Sequence, residues 1–456
     1  MKKLARYIGL DRTIAFTLLA RSWSMIAGAV NIILISRHLS PAEQGYFYTF
    51  ASLVAVQIVF ELGFSYVISQ LASHDRIRLK KFDKEGIEGD PVAHSRLASI
   101  FQKTVRWYSK IGIVMGVGLL FIGTYFFYSH PKPGEQIHWF WPWCLDVVAA
   151  TFAFVVDPAV SFLEGSGWVA QVAKLRFPQA LLGSLLGWSC LLLHKGLFAP
   201  GMMIAGQAIV ALYFVGRVHR ELLLRLWRHN VGEFGISWRV EIWPFQWRVA
   251  LSWASSYFIV QFFNPILFAY TGPVAAGQMG MSLTICTSLA SLAQSWVNTK
   301  APRFGSLVAM QRIATLEEEF WRVTLQSTLI LVLAELTVIA GIAFLGHQWP
   351  QLVVRVVGVP IFSLLLLAVL LSHLVICESY YLRAHKTEPF ALLWVVIATF
   401  SILTVTWGAK HYGVLGATIA YLLSAGFLRL IAGTYVFLRM RSEWHGPAIA
   451  LQEEAE

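Results

Sequence analysis

Long apolar stretches alternate with short polar ones along this chain, regularly enough to be read as architecture. Twelve stretches are long enough to cross a hydrocarbon core as helices, near residues 14–36, 46–72, 107–128, 140–163, 178–194, 201–219, 247–270, 273–297, 323–346, 360–382, 389–409 and 413–438. Most connections are short; the long ones are 73–106 and 220–246. Six spans precede the second long connection and six follow it. The pattern predicts an all-α polytopic membrane protein of about twelve transmembrane helices. They form two six-helix lobes, 1–230 and 231–456, related by a pseudo-two-fold axis along the membrane normal. No residue-level repeat accompanies this symmetry, which rests on topology.

Charge then orients the spans. Of 36 Lys and Arg residues, 28 fall in the two termini and the even-numbered connections, counting Arg217 and Arg248 at the adjoining span ends. Only Arg37, Lys132, Lys195, Arg355 and Lys410 fall in the odd ones, and Arg21, Lys110 and Arg429 lie inside predicted spans. The positive-inside rule therefore places both termini in the cytoplasm. The net charge of +11 is mostly this orientation signal, with attraction to anionic lipid heads as a second effect. Because the basic residues are spread over seven short segments, nucleic acid is not a predicted partner. The chain is 57% hydrophobic and 13% charged, about half the charged fraction of a soluble protein. No small-residue cleavage site follows the first span, which predicts an uncleaved first helix.

Cys144, Cys190, Cys286 and Cys377 all lie within spans and show no metal-ligand spacing, so neither a disulfide framework nor a metal or other cofactor is predicted. No phosphate-binding loop, nucleophile elbow or zinc-protease motif occurs. The longest external connections, Ser129–Trp139 and His347–Gly358, are too short to build a catalytic site, and the chain is not predicted to be an enzyme. Two further expectations concern the long connections. Residues 220–246 read as an amphipathic helix on the cytoplasmic surface. In 73–106, Gly86, Gly89, Asp90 and Pro91 break any helix. Leu97, Ile100, Phe101, Val105 and Tyr108 then form an amphipathic lead-in to the third span, and most of the rest reads as a solvated linker.

Polar residues inside the spans mark the candidate chemistry, since a charge at membrane depth costs roughly 2.5–3.5 kcal/mol. In span one, Arg21, Ser24, Gly28 and Asn31 share a stripe; in span two, Gln57, Glu61 and Ser65 do. Arg21 and Glu61 lie at compatible depths for an ion pair, which is read either as a structural pair or as part of a substrate site. In span four, Asp146, Asp157 and Glu164 fall within about 20° of one helix face. They form either an acidic stripe for protons or Na⁺, or two interfacial acids with Asp157 alone between them. Gln261, Asn264 and Pro265 predict a kink in span seven. In span eight, Thr284, Thr287, Ser288, Ser291, Gln294, Ser295 and Asn298 make a continuous polar face. The strongest stripes thus lie on spans one, two, seven and eight, and a cleft lined by these four serves them all. Glu335 and Arg429 are further charges within spans.

Residues 31–50 contain Leu39-Ser40-Pro41-Ala42-Glu43-Gln44-Gly45-Tyr46-Phe47, which fits the pattern L-[ST]-P-x-[ED]-x-G-x-[FY], and Glu61–Val67 follows. These stretches resemble the polysaccharide-exporter family that includes O-antigen-unit flippases, within the multidrug/oligosaccharidyl-lipid/polysaccharide exporter superfamily. The resemblance implies a MATE-like fold of two six-helix lobes around a cleft lined by helices one, two, seven and eight. It also implies transfer of undecaprenyl-diphosphate-linked sugar units across a bacterial inner membrane, for O-antigen or exopolysaccharide synthesis. A polysaccharide polymerase complex and membrane lipids are the partners it implies. Arg21 matches that family's early first-helix Arg. The candidate substrate-binding residues are Arg21, Asn31, Gln57, Glu61, Gln261, Asn264, Ser291, Gln294 and Arg429, with Glu61 and Asp157 as ion-coupling groups. The competing readings are a multidrug or small-molecule exporter and a membrane glycosyl polymerase or ligase.

Overall fold

The computed structural model describes residues 12–130, 137–385, 387 and 389–453. Lys2, Lys3, Arg6, Lys132 and Lys386, which contribute to the orientation argument, lie outside them. Each of the twelve predicted spans falls on helix: Arg12–His38; Pro41–Val54, Gln57–Glu61 and Phe64–Arg76; Pro91–Ser129; Phe140–Leu163; Val169–Leu192; Ala199–Tyr213; Trp243–Val260 and Phe263–Thr271; Pro273–Ala309; Ile313–Gln348; Val359–Ala384; Ala391–Tyr421; and Arg429–Glu453. The chain is an all-α polytopic membrane protein. By length and composition, seven continuous helical stretches among the described residues are able to cross a membrane. Two of these, Phe140–Leu192 and Ala391–Trp444, are long enough to hold two spans each. Spans two, seven and eight are not among the seven. Two of them are broken, and the third is too polar.

The breaks have local causes. Span two is interrupted at Leu62 and Gly63, whose φ values of +54° and +64° are left-handed and end the helix after Glu61. Span seven breaks at Gln261–Phe262, one turn before Pro265. The proline has no N–H to return to the carbonyl four residues earlier, so the predicted kink appears as a two-residue turn upstream of it. Spans eleven and twelve run together across Gly413, at φ +62°.

Packing divides the chain into two compact units, Met1–Trp253 and Ala254–Glu456. In the first, span three presents Gly112, Gly116 and Gly123 to span four, where Trp143, Thr151 and Val155 fill the space that side chains there would take. Spans five and six approach through Gly183 and Gly206. Trp143, Phe127 and Phe50 form a fully buried aromatic centre nearby. In the second unit, Phe304, Phe320, Tyr381 and Phe437 play the same part.

The long connections are more ordered than their polarity predicts. Leu79–Phe82 and Ile87–Gly89 pair as an antiparallel hairpin where a solvated linker was expected. Asp83 accepts the amide protons of Glu85 and Gly86 in its turn. Asp90 then caps the helix that starts at Pro91. Leu97, Ile100, Phe101 and Tyr108 are buried along that helix, as their spacing predicts. The mid-chain connection holds the helix Arg220–Arg228, seated through Leu222, Leu223 and Leu226. Gln102 Nε2 donates to the carbonyls of Leu226, Trp227 and His229, closing the helix's C-terminus. Arg96 reaches Asp75 at 3.2 Å and Glu241 at 2.5 Å, and Lys103 donates to the Ile236 carbonyl. The connection 220–246 is therefore bonded to the first unit.

Candidate functional site

The Ser40–Phe47 turn forms as its sequence dictates. Ser40 is the N-cap of Pro41–Val54; its Oγ accepts from Glu43 N at 3.1 Å, and Glu43 accepts from Ser40 N at 2.8 Å. This capping box, with Pro41 in the first turn, fixes the angle between spans one and two.

The stripe on span one has two uses. Asn31 Oδ1 accepts from Trp188 Nε1 at 2.7 Å, and Trp23 Nε1 donates to Ser184 Oγ at 3.3 Å. These bonds lock span one against span five. Asn31 thus spends its side-chain oxygen on this packing. Ser24 Oγ returns to the Ala20 carbonyl of its own helix. Arg21 differs from both. It is exposed, and among the described residues it has no hydrogen bond or ion pair. The expected Arg21–Glu61 pair is absent. Depth along the membrane was compatible, but span one packs on span five rather than on the segment that carries Glu61.

Glu61 finds other company. It is half-buried at the break in span two and hydrogen-bonds Ser65. Ser65 Oγ lies 3.3 Å from Tyr108 Oη, and Phe64 stacks on the Tyr108 ring at 5.9 Å. Asp157 of span four is close enough to act electrostatically on both Glu61 and Tyr108, and Arg176 acts on Asp157. Glu61, Ser65, Tyr108 and Asp157 therefore belong to one polar cluster within the first unit. Tyr108 had no chemical signal in the sequence; it occupied an apolar position of an amphipathic helix. Gln57 is half-buried one turn before Glu61.

The three acids of span four do not share an environment. Asp146 is fully buried, with neither carboxylate oxygen hydrogen-bonded. Asp157 is exposed, and Glu164 lies 4.0 Å from Arg176. An angular sector on one helix did not capture what packs on each turn. Gly201 lets span six come against the backbone of Asp146, where a Cβ would sit 2.9 Å from its nitrogen.

In the second unit, span eight has an exposed and a buried side. Thr287, Ser288 and Ser291 are exposed, as are Leu292 and Trp296, and Gln294 and Ser295 are half-buried, while Cys286, Ala293 and Val297 are buried. Thr287 and Ser288 donate to carbonyls of their own helix, so neither hydroxyl bonds a neighbouring helix. Gln261 is half-buried at the break in span seven, whereas Asn264 is buried. Arg429 lies 4.2 Å over the Trp394 ring, its Nε buried without a hydrogen-bond partner. That aromatic face offsets part of its charge within the unit. Among the described residues, no group of three His, Cys, Asp or Glu side chains is placed to hold a metal ion.

No family model matches the chain. No curated protein matches it. Solved structures do. The chain superimposes on an inward-facing multidrug resistance MATE family transporter of the MOP superfamily with a TM-score of 0.60 and 15% identity, covering 93% of this chain and 99% of that one. A MATE protein in its bent conformation gives 0.53 and 16%, covering 94% of each chain. An outward-facing MATE family transporter of the MOP superfamily gives 0.52 and 14%, covering 94% and 96%. The chain has the fold of MATE transporters. It is a multi-pass membrane protein on that fold.

Proposed function

We propose that this protein is an exporter that moves undecaprenyl-diphosphate-linked oligosaccharide units across the bacterial inner membrane, with both termini cytoplasmic. The observation that carries the reading is Arg21. An unpaired guanidinium at membrane depth is costly unless it meets water or an anion, and its planar fork suits the oxygens of a diphosphate. In this reading Arg21 and Gln57 of the first unit meet the polar head, and the polyprenyl tail stays in lipid. The turn at Leu39–Phe47 and the MATE fold support the same class. The Glu61–Ser65–Tyr108 cluster, with Asp157 beside it, is the proposed site where a cation couples to transport. In this reading the protein acts as a carrier, as do the transporters that share its fold.

The second reading is a multidrug or small-molecule exporter, favoured by the multidrug resistance transporters that share the fold. The deciding experiment deletes the gene and follows lipid-linked sugar units by leaflet. Accumulation on the inner leaflet, reversed by the intact chain and not by Arg21→Ala, supports the flippase. Unchanged units together with increased sensitivity to cationic drugs support the exporter.

A further inference from the structure

The acidic groups of the mid-chain connection are unevenly used. Glu241 and Asp75 are both committed to Arg96, as described above. Along 217–239 this leaves Arg217, Arg220, Arg225, Arg228 and Arg239 exposed, against only Glu221 and Glu233. Five arginines against two glutamates give this surface a net charge of +3. The helix Arg220–Arg228 turns Leu222, Leu223 and Leu226 inward, so its arginines project outward together with Leu224 and Trp227, which are 36% and 40% exposed. The Arg106 guanidinium lies 5.5 Å over the Trp227 ring and extends the basic surface. An interfacial helix that mixes exposed apolar and cationic side chains suits the boundary between headgroups and acyl chains. A cluster of this size beside a membrane span suits anionic headgroups.

A second feature of the same unit lies alongside. Spans four and six form a wholly apolar groove of about 200 Å³ on the membrane face, with Ala149, Ala205 and Ala208 as its floor and Phe152, Ile209 and Leu212 as walls. Phe152, Ile209 and Leu212 are all more than half exposed. Leu212 lies five residues before Arg217, roughly 7.5 Å along a helix. The groove therefore ends close to the basic surface, in the order that a phospholipid presents tail and headgroup.

We infer that this surface binds an anionic phospholipid, its phosphate held by Arg217, Arg220, Arg225 and Arg228 and one acyl chain lying in the groove between spans four and six. The site needs neither the proposed substrate nor a coupling ion. It acts as a fixed lipid clamp on the connection between the two halves of the chain.

The test uses the full chain purified in detergent, with dioleoyl phosphatidylglycerol and dioleoyl phosphatidylcholine as probes and melting temperature and native mass spectrometry as readouts. At 50 mM salt, phosphatidylglycerol should raise the melting temperature by several degrees more than phosphatidylcholine and leave more retained adducts. The difference should shrink strongly at 500 mM salt, as exposed charges are screened. Combined Arg217→Gln, Arg220→Gln, Arg225→Gln and Arg228→Gln substitutions should remove the preference for the anionic lipid, and Ala208→Phe should reduce retention of both lipids. Equal stabilisation by the two lipids overturns the proposal, as does a preference that survives the four substitutions. Displacement of phosphatidylglycerol by equimolar undecaprenyl phosphate would reassign the surface to the lipid carrier and likewise overturn it. Should the fourfold variant fail to fold, the salt dependence of the intact chain and the single Arg225→Gln variant decide.

Discussion

Arg21→Ala separates a binding role from a structural one through two magnitudes that point in opposite directions. Because Arg21 is exposed and unpaired, its removal breaks no contact seen in the fold. The expected stability change is within about 0.5 kcal/mol, as for a surface substitution. A buried ion pair losing one partner would instead cost about 3–5 kcal/mol. Transport should respond differently. Hydrogen bonds to charged groups contribute about 1.5–3 kcal/mol, and each 1.4 kcal/mol is about tenfold. The loss of one such interaction with a diphosphate therefore lowers transport by about 10- to 150-fold. Arg21→Lys keeps the charge but not the fork and should fall between. The assay complements a deletion strain and measures surface polysaccharide and inner-leaflet lipid-linked units, with the melting temperature of each purified variant taken in parallel. Glu61→Gln combined with Arg21→Ala should give the product of the two single effects, because the residues do not touch. Restored export in the double variant, or a melting temperature that collapses in Arg21→Ala, would refute the reasoning and return Arg21 to a structural pair.

Four further outcomes are expected. In a cysteine-free background, Ser291→Cys should react with a small water-soluble thiol reagent and Ala293→Cys, on the buried face of the same helix, should not; equal labelling removes the case for an oriented wet face. Gly165→Ala should destabilise by about 1–3 kcal/mol, since its Cβ would lie 2.6 Å from Ser69 Cα in rigid backbone, whereas Gly118→Ala, with open space around it, should be nearly neutral in the same melts. Burial alone would raise the Glu241 carboxyl, but the hydrogen bonds from Arg96 and the Ser237 amide outweigh it and hold the group below its ordinary value of 4.5. Its contribution to stability is therefore present above pH 4.5 and lost as pH falls through the lower folded value, so melting temperature should drop below pH 4.5, and less steeply in Glu241→Gln. Single cysteines at Lys84 and Arg228, both exposed, should resist an impermeant reagent added outside intact cells, and ready labelling of both would reverse the orientation.

The places of the helices were legible in the sequence because membrane burial imposes a length and a polarity on each segment independently of its neighbours. That is why all twelve spans, the capping box at Ser40, the amphipathic faces of the long connections and the polar face of span eight could be read one segment at a time. The partners of individual polar groups could not, since partnership depends on which helices pack together. Arg21 and Glu61 shared a depth, yet two indoles, Trp23 and Trp188, hold span one on span five and leave the arginine alone. Asp146 and Asp157 shared a sector of span four, yet the close approach at Gly201 buries one while the other stays exposed. Tyr108 looked like a core residue until the break at Leu62–Gly63 brought Ser65 to its hydroxyl. The hairpin at 79–89 was equally hidden, since two strands of three or four residues carry little pattern of their own. The sequence therefore determined the spans and the polar residues they carry. Only the tertiary structure decided which of those residues meet, because contact is a property of pairs of helices and hydrophobic periodicity a property of one.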